Sequence, residues 1–167
     1  MKRLAAYFIL FLLPALAFSQ EVVKKEGKYY TANGDLYTGI HKEYHDNGNL
    51  KAEIHVRDGL LEGKSVFYFE KGSRKEVRSY HKGEMHGIWK TWNKEGVKVA
   101  RAVYKDGKKD GTWKIWDDSG TLRFKMAYDM GKKTGTWYNY DENGKLVATK
   151  EYERSEEHTS ELQSLLI

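Results

Sequence analysis

The chain has 167 residues, no cysteine and a formal net charge of +5 at pH 7. The lack of cysteine excludes a fold held by disulfide bonds. The charge excess is small for a nucleic-acid-binding protein, so we expect no nucleic acid among its partners. Aromatic residues form 14% of an otherwise polar chain, which predicts that large rings supply much of the packing.

Residues 1–19 have the pattern of a secretory signal peptide. Lys2 and Arg3 form a basic start, residues 4–13 form an apolar run, and Ala17-Phe18-Ser19 offers small residues for a signal peptidase. The apolar run is short for a membrane span. We therefore expect export to the periplasm, the outer envelope or the medium, with a mature domain that begins at residue 20.

Glycines recur through the chain with a period of 24 residues, which is typical of stacked repeats. The period predicts one domain over residues 20–153. Its repeats start near residues 39, 63, 87, 111 and 135, and a partial repeat covers residues 27–38. Two glycine rows are predicted to be structural: Gly39, Gly63, Gly87, Gly111 and Gly135, with Gly48, Gly72, Gly96, Gly120 and Gly144. A third row comprises Gly59, Gly83, Gly107 and Gly131.

Each repeat has the pattern of a β-hairpin. In the repeat that starts at Gly111, the aromatic segment 112–116 precedes the turn residues 117–120 and a second strand-like segment, 121–128. No segment has the length and period of a helix. The sequence therefore predicts an all-β fold, an elongated open antiparallel sheet of stacked hairpins with about ten or more strands.

Aromatic residues occupy equivalent positions of successive repeats, which predicts ladders of rings across neighbouring strands. The repeat that starts at Gly63 departs from this pattern. Arg74, Glu76 and Arg78 stand there at positions that are apolar in other repeats, so we expect this stretch to be looser or covered differently. The rows are His41, Ser65, Trp89, Trp113, Trp137; Tyr44, Tyr68, Trp92, Trp116, Tyr140; and Val56, Tyr80, Tyr104, Tyr128, Tyr152.

The pattern G-x-W-x-x-W-x-x-x-G, followed by a strand that ends Y-x-x-G-x-x-x-G, resembles the MORN (membrane occupation and recognition nexus) repeat. The step of 24 residues is similar to that of its bacterial variant, and the resemblance covers about Tyr29 to Tyr152. It implies a stacked β-hairpin fold and a role as a scaffold, a membrane-associated module or an interaction platform. Some bacterial relatives carry an antitoxin label, which implies a third possible role.

Residues 154–167 share neither the glycine rows nor the aromatic rows. The segment Arg154–Ser164, RSEEHTSELQS, resembles the in-frame translation of a sequencing adapter. We therefore expect residues 154–167 to be an artefact without ordered structure, with a natural disordered or amphipathic tail as the alternative. No site residue is sought in this segment.

Two sets of residues are candidates for binding. The first is an aromatic face that could dock a protein or another envelope component. The second is a lysine-lined turn edge that could attract anionic lipid or an anionic glycan. Each set also has a purely structural interpretation. The rings would hold neighbouring repeats together, and the lysines would keep the turns soluble. The face comprises Trp89, Trp92, Trp113, Trp116, Trp137 and Tyr140, and the edge comprises Lys108, Lys109, Lys132 and Lys133.

Catalytic and metal-ligating patterns are lacking in the sequence. It contains no G-x-S-x-G, Walker or H-E-x-x-H motif. His41 and His45 lie in a predicted strand, where a spacing of four residues separates them too widely for a metal pair. We therefore expect no enzyme, no cofactor and no metal. The leading prediction is a binding or scaffold module of the bacterial envelope, and the alternatives are a peripheral membrane or anionic-glycan binder and an antitoxin-like inhibitor.

Overall fold

The structure is a computed structural model, and it describes residues 21–153. The predicted signal peptide and the predicted artefactual tail lie outside these residues. All regular elements of the described part are strands, as the hairpin pattern predicts. They are β1 (Val22–Lys25), β2 (Lys28–Thr31), β3 (Gly39–Tyr44), β4 (Leu50–Arg57), β5 (Leu60–Leu61), β6 (Gly63–Tyr68), β7 (Arg74–His81), β8 (Glu84–Met85), β9 (Gly87–Trp92), β10 (Lys98–Lys105), β11 (Lys108–Lys109), β12 (Gly111–Trp116), β13 (Leu122–Asp129), β14 (Lys132–Tyr140) and β15 (Leu146–Tyr152).

The strands form one open antiparallel sheet of 13 strands and a separate hairpin. The main path runs β15-β14-β13-β12-β10-β9-β7-β6-β4-β3, so neighbours in the chain are neighbours in the sheet. The short strands β5, β8 and β11 pair with β4, β7 and β10. The predicted all-β fold of stacked hairpins is confirmed. The partial N-terminal repeat forms the hairpin β1-β2, which lies in its own sheet.

Two kinds of turn alternate along the sheet. The first connects repeats with a two-residue loop such as Asp106-Gly107, between the pairs Tyr104↔Lys109 and Lys105↔Lys108. Asp106 and Gly107 both have positive φ, 47° and 75°, as a type I′ hairpin turn requires. The second closes each hairpin with a turn such as residues 117–121, in which the Asp117 carboxylate accepts hydrogen bonds from the backbone N–H groups of Ser119 and Thr121.

Gly59 shows why the third glycine row is required. Its φ is +75°, and a Cβ there would lie 2.6 Å from Leu36 Cδ2 and 3.1 Å from the Tyr29 carbonyl oxygen. Its N–H donates to the Tyr37 carbonyl and its carbonyl accepts from the Tyr29 N–H. Gly83, Gly107 and Gly131 likewise donate to the preceding repeat, at Leu61, Met85 and Lys109. Backbone bonds at these turns therefore tie successive repeats together.

Gly59→Ala is expected to lower the free energy of unfolding by about 2 kcal/mol, because it combines a strained φ with a steric clash. Gly48 provides the matched control, since its φ is +83° and a Cβ there would meet nothing within 4 Å. Gly48→Ala should therefore cost only about 1 kcal/mol, from backbone strain. Urea unfolding followed by circular dichroism measures both values, and equal losses would contradict the proposed clash.

The N-terminal residues pack over β4, near one end of the sheet. Tyr29 and Tyr37 are 3% and 9% exposed and pack with Ala52, Ile54 and Val56 of β4 into the buried core. Val22, Leu61 and Phe67 pack against this cluster. The early repeats, which lack the tryptophans of the later ones, are thus covered by tyrosines from the partial repeat.

Candidate functional site

The sheet has two faces with different chemistry. Alternation along the paired strands places Trp89 and Tyr104 on one face, because Trp89 pairs with Ala102 and Tyr104 lies two residues farther along β10. We call this side the ladder face, after the rings of Tyr80, Trp89, Tyr104, Trp113, Tyr128, Trp137 and Tyr152. We call the opposite side the basic face, after Lys90, Arg101, Lys114 and Lys125.

Tryptophans and tyrosines alternate along the ladder face. Trp113 lies between Tyr104 and Tyr128, with ring centroids 5.1 and 5.3 Å apart in tilted or edge-on geometry. The indole N–H of Trp113 donates to the Val103 carbonyl at 2.8 Å. The indoles of Trp89 and Trp137 donate to Ser79 and Ala127 in the same way. These three tryptophans therefore join repeats, and their polar atoms are already bonded within the protein.

Two lysines of the predicted turn edge lie over the ladder. The Nζ of Lys109 is 4.8 Å from the ring centre of Trp113 and 5.0 Å from that of Tyr128. Lys133 is placed in the same way over Trp137 and Tyr152. Lys108 alternates with Lys109 in β11 and so points to the other side. The four lysines Lys108, Lys109, Lys132 and Lys133 all lie at this turn edge, but alternation directs Lys109 and Lys133 to the ladder face and Lys108 and Lys132 to the opposite side.

The turn edge also carries acidic groups. The Asp106 carboxylate lies 3.1 Å from His86 Nδ1, and the Asp110 carboxylate accepts the backbone N–H of Met130. Glu62 lies 3.2 Å from His81 Nδ1. The hydrogen bond from the Lys82 backbone N–H, followed by the one to His81, lowers the pKa of Glu62. This edge is of mixed charge and offers a weak attraction to an anionic surface.

The ladder tyrosines are half-buried. Burial raises the pKa of the Tyr104 phenol, and the negative charge of Glu76 raises it further. Burial also raises the pKa of Tyr128, although the nearby Lys133 lowers it. Both shifts are consistent with rings packed inside a ladder of neighbours, and they favour the structural interpretation of this face.

The six predicted aromatic site residues divide between the two faces. Trp92 contacts Arg74 and lines a groove with Lys90 on the basic face, whereas Trp89 is in the ladder. The rings of Tyr138 and Tyr140 stack at 6.4 Å, and Tyr138 pairs with Lys125 of the basic face. The prediction of one aromatic face is therefore wrong, because a step of three residues along a strand reverses the side. Trp89, Trp113 and Trp137 lie in the ladder, and Trp92, Trp116 and Tyr140 lie on the basic face.

The basic face carries a row of directly paired cations. Lys90 pairs with Arg101, Arg101 with Lys114, and Lys114 with Lys125 across β9, β10, β12 and β13. Like charges directly opposite one another destabilise a sheet. Arg101 donates to the Thr112 carbonyl at 3.0 Å and Lys125 lies over the Tyr138 ring, but within residues 21–153 none of the four forms an ion pair. We call these four residues the cation row.

A second row beside it alternates cations and rings. Arg74 lies 5.5 Å from the ring centre of Trp92, and Lys98 Nζ lies 4.5 Å from that of Trp116. Cross-strand pairing joins Trp92 to Lys98. A β-bulge at Lys75 places Arg74 on this side instead of the ladder face. We call these four residues the mixed row.

A groove of about 580 Å³ opens on the same face and is lined by residues that include Lys64, Arg74, Lys90 and Trp92. In the long strands β6, β7, β9, β10, β12 and β13, the positions on this face between Gly63 and Ala127 carry no Asp or Glu. Acidic side chains on this face stand at Glu84 in the short strand β8, and at Glu53, Asp129 and Glu151. The cations at these positions are Lys64, Arg74, Lys90, Lys98, Arg101, Lys105, Lys114 and Lys125, and Lys108 pairs with Lys105 at the turn edge.

The charged residues of the repeat at Gly63 are accommodated by one another. Arg78 Nη2 donates to Glu76 at 2.7 Å, and this bond raises the pKa of Arg78. The guanidinium lies 4.6 Å from the ring centre of Phe67 and 5.2 Å from that of Trp89. Arg78 is the cross-strand partner of Ser65. Ser65 is 1% exposed and stands where later repeats have tryptophan. The arginine fills the space that the small serine leaves.

Three segments of the chain match a known family of repeats. The model of the MORN repeat variant matches residues 37–58, 109–130 and 133–154, and each matched segment covers one hairpin with its flanking turn. The chain carries MORN repeats of the variant type. No curated protein matches this sequence. A crystal structure of the GtfA/B complex bound to UDP and GlcNAc matches at 17% identity with a TM-score of 0.28, over 84% of this chain and 25% of that chain. The present chain thus spans a quarter of that chain's length.

MORN repeats indicate a binding or scaffold module, which agrees with the leading prediction at this level. Within residues 21–153, no group of three or more His, Cys, Asp or Glu residues could hold a metal ion. In the same residues, no helix is long and apolar enough to cross a membrane. The basic face carries the cation row, whose members form no ion pair within residues 21–153. This face is therefore the candidate site.

The cation row was not predicted from the sequence. Its members come from two strands of each repeat, and only the register between repeats places them opposite one another. A signal was present, because Lys90 and Lys114 are 24 residues apart, as are Arg101 and Lys125. Pairing these two lists through the hairpin register would have revealed the row.

Proposed function

We propose that this MORN repeat protein is a non-catalytic binding module of the cell envelope that takes an acidic partner on its basic face. The observation that carries the proposal is the cation row, in which like charges face one another without an acidic partner. Such an arrangement lowers the stability of the free protein, and an anionic ligand would remove this cost. The envelope location rests on the predicted signal peptide.

The other candidate surfaces support this choice by contrast. The indole N–H groups of the ladder tryptophans already donate hydrogen bonds to backbone carbonyls of the adjacent strand. The turn edge mixes lysines with Asp106 and Asp110. The basic face combines excess positive charge with half-buried rings at Trp92 and Trp116, a composition suited to acidic ligands that also have apolar surface.

The test is binding of the full chain to poly-L-glutamate at low and high salt, measured by fluorescence anisotropy. We expect binding that weakens steeply as salt rises, because exposed charges are screened. Lys90→Glu/Lys114→Glu should reduce the affinity by more than about tenfold at low salt, since each cation near an anionic ligand contributes about 1 kcal/mol.

Lys109→Glu/Lys133→Glu is the matched control, because it changes the net charge by the same amount on the ladder face, where these two lysines lie over the rings. This variant should keep most of the affinity. Equal losses in the two variants would show that net charge alone governs binding, and a wild-type chain that ignores polyglutamate would overturn the proposed function.

A further inference from the structure

We propose that the ligand of the basic face is a linear polysaccharide whose sugar units carry carboxylate groups, laid across the strands along the cation row. This inference rests on the proposed function and narrows its acidic partner to one chemical class. It is carried by the spacing of the cation row, by the composition of the mixed row and by the lack of charge in the next row.

The cation row has the repeat of a polymer. Adjacent strands lie about 4.8 Å apart, so Lys90, Arg101, Lys114 and Lys125 present one cation per strand over a distance of about 14 Å. This step is comparable with the length of one pyranose unit in an extended chain. Lys90 is exposed and the other three are half-buried, so their charged groups remain open to a ligand.

The mixed row offers contacts for sugar rings beside the carboxylates. Trp92 and Trp116 each have a cation over the ring, Arg74 and Lys98. A sugar unit can place its acidic group on such a cation while its C–H groups contact the edge of the neighbouring indole. A nucleic-acid base needs a free ring face for stacking, and here the cation occupies a ring face.

The cation row and the mixed row form a stripe, which a row without charge separates from the charged residues of the turn edge. On the far side of the cation row from the mixed row lie uncharged residues, with Val103 paired to Ile88 and Thr112 paired to Ala127. Along the row, the charge ends at Val77 next to Lys90 and at Tyr138 next to Lys125. A membrane surface would contact the whole face, whereas a stripe of this width and length fits one extended chain.

The test is a comparison of polyanions on the full chain by isothermal titration calorimetry. Polygalacturonate carries a carboxylate on each sugar, its fully methyl-esterified form removes the charge and keeps the sugars, and poly-L-glutamate keeps the charge without sugars. We expect polygalacturonate to bind about tenfold more tightly than polyglutamate per carboxylate, from the added ring contacts. The ester should not bind.

Two variants separate the ring contacts from folding. Trp92→Leu/Trp116→Leu should lower the affinity for polygalacturonate about tenfold and leave that for polyglutamate unchanged, which a merely structural role would not do. Lys98→Gln, which keeps both rings, should weaken binding of both polymers.

Vesicles of phosphatidylglycerol and a single-stranded oligonucleotide complete the comparison. Binding of either that is tighter than binding of polygalacturonate would overturn the inference, as would equal affinities for polygalacturonate and polyglutamate. In these outcomes the protein still binds an acidic ligand, so the proposed function would survive. Failure of every acidic probe would instead remove the proposed function itself.

Discussion

Replacing Trp113 by alanine is expected to lower the free energy of unfolding by about 3 kcal/mol. The ring lies between Tyr104 and Tyr128, donates to the Val103 carbonyl and carries Lys109 over one face. Its removal breaks contacts on both sides and takes away one of the two donors to the Val103 carbonyl, which keeps the Asp110 N–H. In a stacked array stability depends on the interfaces between neighbouring repeats, so this loss falls on the junction between two of them.

Trp116→Ala is the matched control for this effect. Trp116 lies in the same strand but on the basic face, and its ring contacts Lys98 at 4.5 Å. Within residues 21–153 its indole N–H has no hydrogen-bond partner, so its loss should cost markedly less than that of Trp113. Urea unfolding followed by far-ultraviolet circular dichroism measures both variants. A larger loss of unfolding free energy for Trp116→Ala would contradict the assignment of a structural role to the ladder face and a binding role to the basic face.

Restoring the repeat pattern at Ser65 is expected to show strong coupling between three residues. Ser65→Trp alone should cost about 2 kcal/mol, because Arg78 already fills the space in front of this position. Arg78→Ala alone should cost about 2 kcal/mol, since it leaves Glu76, whose side chain is 16% exposed, without its partner.

The triple variant Ser65→Trp/Glu76→Ala/Arg78→Ala recreates the ladder-face pattern of the next repeat, which has Trp89, Ala100 and Ala102. We expect its free energy of unfolding to lie within about 1 kcal/mol of the wild-type value. This loss is much smaller than the sum of the losses from the single changes, because the effects of substitutions at contacting residues are not additive. Thermal and urea unfolding of the wild type, the three single variants, Glu76→Ala included, and the triple variant test this. Additive losses would show that Arg78 does not replace a missing ring.

The fold could be predicted from the sequence because the glycines recur with the period of the repeat. The type I′ turns demand positive φ at pairs such as Asp106-Gly107, and recurrence of such pairs fixes the hairpins. The ladder of Trp113, Tyr104 and Tyr128 also follows from equivalent positions in stacked strands. Local chemistry repeated many times was enough to predict an open antiparallel sheet.

The face of each residue was harder to predict, because it depends on register and bulges. Trp89 and Trp92 belong to one motif, yet an odd step along β9 sends them to opposite sides. A bulge at Lys75 moves Arg74 out of line with Glu76 and Arg78. Cross-strand neighbours between repeats, such as Arg101 and Lys114, arise only when the hairpins stack. The candidate site was therefore only partly visible in the sequence.

The basic face as the binding surface is tested most directly by mapping where a polyanion lies. Polygalacturonate is bound to the full chain, its carboxylates are coupled to contacting lysine amines with a carbodiimide, and the modified lysines are located by mass spectrometry. We predict attachment at Lys90, Lys98, Lys114 and Lys125. Attachment concentrated at Lys108, Lys109, Lys132 and Lys133 would contradict the account and return the binding site to the turn edge.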